Sequence, residues 1–226
     1  MFIDSDYILY AGMIQVIERG TGEILENDEH GVFLRDTESN AFMLASDSLE
    51  CGIEWLKNHE ELKYGLMVVF RPELADFIET QYGLEKGLEC YPAVYLSADP
   101  PRISGKLQIR PAKETDLPVI TEHYKKLEDR ELREIIRRGE LFAGYDNDKM
   151  IGFIGQHLEG GMGLLEVFPE YRRKKYGSEL ESWLIAHMQK QGLIPFCQIE
   201  VSNGNSLGLQ RKLGLSVSEK KVYWMF

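Results

Sequence analysis

The stretch Val167-Phe168-Pro169-Glu170-Tyr171-Arg172-Arg173-Lys174-Lys175-Tyr176-Gly177-Ser178 constrains the fold more than any other part of the chain. The apolar run Met162–Phe168 reads as a strand. It stops at a proline, passes through four consecutive cations and opens, at about Gly177, a helix that runs to Gln191. A strand, a short loop and a helix in direct succession belong to an α/β or α+β chain built around a sheet. The same succession outlines an anion site. Backbone N–H groups at a helix N-terminus and the helix dipole face the loop, and Arg or Lys side chains reach the same space. A solvated basic turn leading into a surface helix is the plainer reading of this stretch taken alone.

The other periodic segments fit the same class. Leu107–Arg110, Leu141–Tyr145, Met150–His157, Phe196–Val201 and Val222–Phe226 read as strands, with turns at Asp146-Asn147-Asp148 and Glu159-Gly160-Gly161. Helices are expected from Thr115, over Glu131–Arg138 and over Ser206–Leu213. Before residue 97 the pattern gives a helix over Asp6–Arg19, strands at Gly31–Asp36 and Ala41–Leu44, and a helix from Ser46 to Asn58. A strand at Gly65–Phe70, a helix over Pro72–Tyr82 and a strand at Ala93–Leu96 complete that half. Ser97-Ala98-Asp99-Pro100-Pro101-Arg102-Ile103-Ser104-Gly105 reads as a joint. It predicts a smaller α/β domain over 1–105 and a second domain over 106–226.

Charge divides the chain at the same place. Residues 1–105 hold 7 of the 26 Lys and Arg but 20 of the 37 Asp and Glu, so the net charge of −11 belongs to the first half. An acidic half repels phosphate backbones, which argues against a nucleic-acid partner and for one anionic small molecule at the basic loop. No apolar run approaches the ~18–20 residues that span a bilayer, and the start Met1–Asp6 is acidic where a signal peptide is basic. A cytoplasmic protein without a membrane partner, monomeric or a homodimer, is expected. Cys51, Cys90 and Cys197 are widely spaced and suit buried free thiols, and no metal-ligand cluster is legible.

Four segments together resemble the GNAT superfamily of acyltransferases. Leu107-Gln108-Ile109-Arg110-Pro111-Ala112-Lys113-Glu114-Thr115-Asp116-Leu117 is similar to its opening strand, and Val167–Ser178 to its pyrophosphate loop R/Q-x-x-G-x-G/A. Asn203-Gly204-Asn205-Ser206-Leu207-Gly208-Leu209-Gln210-Arg211-Lys212-Leu213-Gly214-Leu215 is similar to its helix and turn N-x-x-S-x-x-L-Y-x-K-L-G-F, and Lys221–Phe226 to its last strand. The layout looks most like the glycine N-acyltransferase-like branch, which acylates small amines such as amino acids. The resemblance implies a mixed central sheet flanked by helices over 106–226, acetyl-CoA as co-substrate, and no metal. It implies CoA contacts from Val167, Phe168, Arg172, Arg173, Lys174, Lys175, Tyr176, Gly177, Ser178, Asn203, Ser206 and Lys212. The element order of the first half echoes the second, so residues 1–105 read as a degenerate GNAT-like copy without the basic loop and without CoA.

Two positions depart from the family pattern. Lys175 stands where the loop usually has its first glycine, so the backbone there must avoid a left-handed conformation or tolerate it at some cost. Gln210 stands where many members have the tyrosine that protonates the departing thiolate; that role is vacant, moves to Tyr223 or passes to water. Glu166, a carboxylate in an apolar strand, is the expected general base, its pKa raised by desolvation, with His157 and Glu200 as alternatives. Val167 or Phe168 is expected to supply the N–H that stabilises a developing oxyanion. The implied activity is N-acyl transfer from CoA to a primary amine of a small molecule or amino acid. A catalytically silent acyl-CoA sensor and a plain interaction domain are the competing readings.

Overall fold

Hydrophobic periodicity and glycine or proline punctuation account for most elements of the computed structural model, which describes residues 1–226. The chain divides into two compact units, Met1–Val94 with Gln198–Phe226, and Tyr95–Cys197. In the first unit α1 (Ala11–Glu18) is followed by β1 (Gly22–Asn27), β2 (Gly31–Asp36), β3 (Phe42–Ser46), α2 (Leu49–Asn58), β4 (Met67–Val69), α3 (Pro72–Tyr82) and β5 (Lys86–Val94). α3 begins on Pro72 and ends at Gly83 in a left-handed C-cap with φ 71°, as its sequence predicts.

Several elements differ from expectation: the strand expected at Ala93–Leu96 runs from Lys86 to Val94, and three further differences have local reasons. The first helix starts at Ala11, because an Asp6 carboxylate oxygen accepts from the Leu9 N–H and holds the preceding residues in turns. The cap of α2 is Ser48, whose Oγ accepts from the Cys51 N–H at 3.2 Å, while Ser46 donates its hydroxyl to the Ser48 carbonyl. β1 was not expected at all: in Gly-Glu-Ile-Leu-Glu-Asn no residue is buried, Glu23, Ile24 and Asn27 are exposed, and Leu25 packs on the core from a half-buried position.

The second unit contains β6 (Gln108–Pro111), α4 (Leu117–His123), α5 (Asp129–Arg138), β7 (Leu141–Asp146), β8 (Lys149–Gln156), β9 (Met162–Val167) and α6 (Tyr176–Lys190). Its four strands form an antiparallel sheet in the order β6-β7-β8-β9. α4 and α5 cover one face through Leu117, Ile120, Leu132 and Ile135, which cluster with Phe153, Leu164 and Phe168. α6 covers the other face, with Leu180 against Gly144 and Trp183 4.7 Å from Phe142. The remaining elements are β10 (Phe196–Glu200), α7 (Gly204–Leu213), β11 (Ser216–Val217) and β12 (Val222–Met225).

The last strand corrects the expected division into 1–105 and 106–226. β12 lies inside the first unit's sheet, whose order is β1-β2-β3-β4-β12-β5-β10, and it is antiparallel to both of its neighbours. β11 in turn pairs with β5. Val222 and Met225 are fully buried, and Met225 joins the core of Phe33, Leu56, Leu74 and Ile78 beneath α2 and α3. The joint at Ser97–Gly105 is therefore not a boundary between self-contained folds, because each side contributes strands to one sheet. No helix is long and apolar enough to cross a membrane, all three cysteines are free, and no group of three His, Cys, Asp or Glu residues could hold a metal ion.

Candidate active site

The cationic loop and the start of α6 take the form the sequence outlines. Lys175 is the N-cap of α6 and sits in a left-handed conformation with φ 69°, and Arg173 precedes it at φ 62°. The strain foreseen at the missing glycine is thus tolerated, and extends to a second residue. No side chain caps α6, so the N–H groups of its first turn are left facing outward beside the exposed Arg173, Lys174 and Lys175. Lys174 lies over the ring of Tyr171 at 5.3 Å, and the Tyr176 hydroxyl donates to Asp146 Oδ2 at 2.5 Å, tying the helix start to the β7–β8 turn.

Gly177 has no packing reason to be glycine. Its φ is not left-handed, and a Cβ there would come no closer than 3.7 Å to Val167 Cγ2, an ordinary contact. The missing side chain leaves free space at the mouth of an uncapped helix N-terminus. That space and the cations around it fit the pyrophosphate of CoA.

At the end of β9 the geometry differs from the expected in two ways. Glu166 is not set in an apolar pocket: its Oε1 is ion-paired with Arg172 Nη2 at 2.8 Å, and Arg172 Nε donates to the Val167 carbonyl at 2.9 Å. Arg172 is folded back on the strand by these two bonds. Phe168 spends its N–H on the Ile151 carbonyl at 2.9 Å, which removes it as an oxyanion donor. Antiparallel pairing turns alternate residues outward, so the Val167 N–H points to the open edge of β9, which has no strand on that side. Between Gly163 and Glu166 the strand carries a bulge, with Leu164 at φ 51°.

The other predicted residues lie as follows. Asn203 caps α7, its Oδ1 accepting from the Ser206 N–H at 3.0 Å, and Lys212 is exposed on the last turn of that helix. Tyr223 packs against the core under α2 and α3, with Lys86 over its ring at 5.4 Å; burial, then the charge of Glu89, pushes its phenol pKa up. Gln210 is buried. Glu200 accepts from the Ser202 hydroxyl at 2.6 Å. These residues belong to the first unit, whereas the loop and Glu166 belong to the second. His157 lies in the second unit across Gly163; desolvation pushes its imidazole pKa down, opposed by Glu131 and reinforced by Lys126.

Residues 108–215 match the sequence profile described as the Acetyltransferase (GNAT) family. This segment is thus similar to a GNAT acetyltransferase domain. Solved structures of similar fold include a Drosophila protein (14% identity, TM-score 0.66, 97% of this chain and 88% of that one). They also include a GCN5-related N-acetyltransferase from Kribbella flavida (10% identity, TM-score 0.59, 96% and 93%). A tandem GNAT protein from the clavulanic acid biosynthesis pathway is similar at 11% identity, with a TM-score of 0.52 over 87% and 78% of the two chains. At these identities the likeness concerns the fold. No protein of curated function is significantly similar in sequence.

Two features of the second unit were not found from the sequence. One is the bulge at Leu164, where the positive φ falls on the leucine and not on the neighbouring Gly163. The other is Tyr124, at the C-terminal end of α4, which packs edge-on against Phe153 with ring centroids 6.0 Å apart. Phe153 is the cross-strand partner of Glu166. Burial first, then the charges of Glu131 and Glu166, push the Tyr124 phenol up to about 12.

Proposed function

We propose that the protein transfers an acetyl or other short acyl group from coenzyme A to a primary amine of a small molecule or amino acid. The observation that carries this reading is the uncapped N-terminus of α6 behind a cationic, left-handed loop, at a glycine that packing does not require. The residues that would hold CoA are the backbone N–H groups of residues 173–178 with Arg173, Lys174 and Lys175. The bound thioester supplies an activated acyl group. Glu166 accepts the proton of the incoming amine, and the outward N–H of Val167 is the oxyanion donor. Asn203, Ser206 and Lys212 remain proposed CoA contacts. With Gln210 in place of a tyrosine, we assign protonation of the thiolate to water in preference to Tyr223, whose ring belongs to a core.

Calorimetric titration with CoA tests the site. Gly177→Val should weaken binding at least tenfold while thermal unfolding is unchanged, because the free space that admits a phosphate also admits a Cβ. Unchanged affinity in the folded variant would sink the assignment.

Buried Gln210 and the ion-paired Glu166 favour a second reading, a silent acyl-CoA sensor. Thiol release from acetyl-CoA across a panel of primary amines separates the two, since a sensor binds without turnover. For the N-terminal part of the first unit, Met1–Val94, we keep the reading of a degenerate GNAT-like copy, and the likeness to a tandem GNAT protein supports it. Where the second copy has an open basic loop, the β3–α2 junction is closed by Ser48 at the cap and has Glu50 in its first turn, which suits a copy that binds no CoA. A cytoplasmic, monomeric or homodimeric protein without nucleic-acid or membrane partners completes the proposal.

A further inference from the structure

We propose that Tyr124 is a catalytic residue, its hydroxyl standing between the acceptor amine and Glu166 and relaying the proton from one to the other. This rests on the acyltransferase reading above and adds to it the group that touches the acceptor.

The argument begins with placement. Glu166 and Phe153 are directly opposed on β9 and β8, so their side chains leave the sheet on one face, the face covered by α4 and α5. Tyr124 comes down onto that face from the end of α4 and packs edge-on against Phe153. Its neighbour His123 stacks on Phe168 at 3.9 Å, so adjacent residues of one segment bracket the end of β9 around Glu166. The extended backbone of Tyr124, φ −124° and ψ 114°, allows the two rings to diverge in this way.

The chemistry follows from what surrounds the hydroxyl. The Tyr124 ring is half-buried, yet its hydroxyl has no protein hydrogen-bond partner, although two carboxylates, Glu131 of α5 and Glu166 of β9, act on it electrostatically. A partly desolvated hydroxyl left without a partner is costly, and a ligand atom that completes it is favoured. Burial and these two carboxylates keep the phenol protonated at every working pH, so it always has a proton to donate and a lone pair to accept. Arg172 occupies Oε1 of Glu166 and leaves Oε2 without a protein partner. A paired carboxylate is best reached at that remaining oxygen. As the amine nitrogen attacks, one N–H bond breaks toward the Tyr124 oxygen while the Tyr124 O–H bond breaks toward a bridging water, which gives one of its own protons to Glu166 Oε2. The phenol is regenerated unchanged, and Glu166 ends protonated.

The test is a double-mutant cycle on the full chain: Tyr124→Phe, Glu166→Gln and both together. The amine used is the one giving most thiol release in a panel of primary amines that includes glycine. Phe keeps the ring against Phe153, so thermal unfolding should hold. Glu166→Gln should lower kcat/KM for the amine at pH 7 by about 10²-fold or more, and Tyr124→Phe by roughly 10–10²-fold, with KM for acetyl-CoA unchanged in both. Members of one relay are not additive, so the double variant should be no slower than Glu166→Gln within about twofold. Both losses should shrink toward pH 9, where solution deprotonates the amine. A neutral Tyr124→Phe, or losses that multiply in the double variant, overturns the relay and leaves Glu166 as base. A silent Glu166→Gln overturns relay and base together. No thiol release with any amine overturns the acyltransferase reading beneath them.

Discussion

Replacing Met225, the penultimate residue, with alanine should destabilise the sheet of the N-terminal strands and not the sheet β6-β7-β8-β9. Met225 has no exposed surface and contacts the cluster of Phe33, Leu44, Met67, Leu74 and Ile78. Truncating such a side chain removes transfer free energy and leaves a cavity, together about 2–5 kcal/mol. The strand as a whole matters more. Val222 and Met225 each contribute roughly 1.5–3 kcal/mol by burial, and the ladder to β4 and β5 adds about 0.5–1.5 kcal/mol per hydrogen bond. Their sum is comparable with the whole stability of a typical domain, about 5–15 kcal/mol. Deleting Val222–Phe226 should therefore leave the first unit unfolded. Urea unfolding followed by circular dichroism would measure the loss, and native-state hydrogen exchange would locate it. In Met225→Ala, protection should fall at Met67–Val69 and Lys86–Val94 and persist through β7 and β8. An isolated 1–105 fragment that unfolds cooperatively with native-like protection, or a Met225→Ala protein whose exchange rises in β7 and β8 alone, would refute the reasoning.

Other outcomes follow from single residues. Lys175→Gly should raise stability by about 1 kcal/mol in thermal unfolding, by relieving a left-handed side chain at φ 69°, while CoA affinity becomes less salt-sensitive because one loop cation is gone. Arg172→Ala should change kcat more than CoA affinity, since its guanidinium is spent on Glu166 and Val167; a large loss of CoA affinity with kcat intact would contradict this. His157 has a folded pKa below its unfolded value near 6.5, so the unfolded chain takes up its proton first and stability falls as pH drops through about 6.5. His157→Gln should flatten that part of a stability profile between pH 7 and 5, and an unaltered slope would show that the imidazole titrates normally.

What the sequence discloses is what is contiguous. α3, α5 and α6 were placed to within two residues at either end because Pro72, Gly83 and Gly139 or a cationic loop mark where helical backbone starts and stops. The cationic loop was legible for the same reason: strand, cations and helix start fall in twelve consecutive residues. Pairing between distant segments leaves no such mark. Nothing in Val-Tyr-Trp-Met says that its partners are Met67–Val69 and Lys86–Cys90, since alternation specifies a face and not a neighbour. Tyr124 was passed over likewise, being an unremarkable helix-end residue until Phe153 and Glu166 are brought beneath it. The desolvated Glu166 expected from its apolar neighbours failed because Arg172, six residues on, turns back to meet it.

Backbone strain marks the same region independently of any motif. Six residues other than glycine have positive φ: Asn40, Lys63, Asn147, Leu164, Arg173 and Lys175. The two asparagines sit in turns, where their side chains make that conformation inexpensive, and Lys63 closes a short 3-10 turn. The other three fall within twelve residues of one another and have no such excuse, at about 1–2 kcal/mol each. Strain of this kind persists only where the surroundings impose it. Leu164 is fixed by a bulge that lets β9 spend three residue steps against two on β8, and Lys175 by the need to turn from the loop into α6 while its own carbonyl receives the Glu179 N–H. The two deformations act on either side of Glu166 and Val167. The bulge sets which way those residues face, and the left-handed loop sets where the bare N–H groups of α6 point. Relaxing either would return hydrogen-bonding groups to ordinary sheet or helix partners and remove the outward N–H groups on which the proposed acyl-CoA site rests.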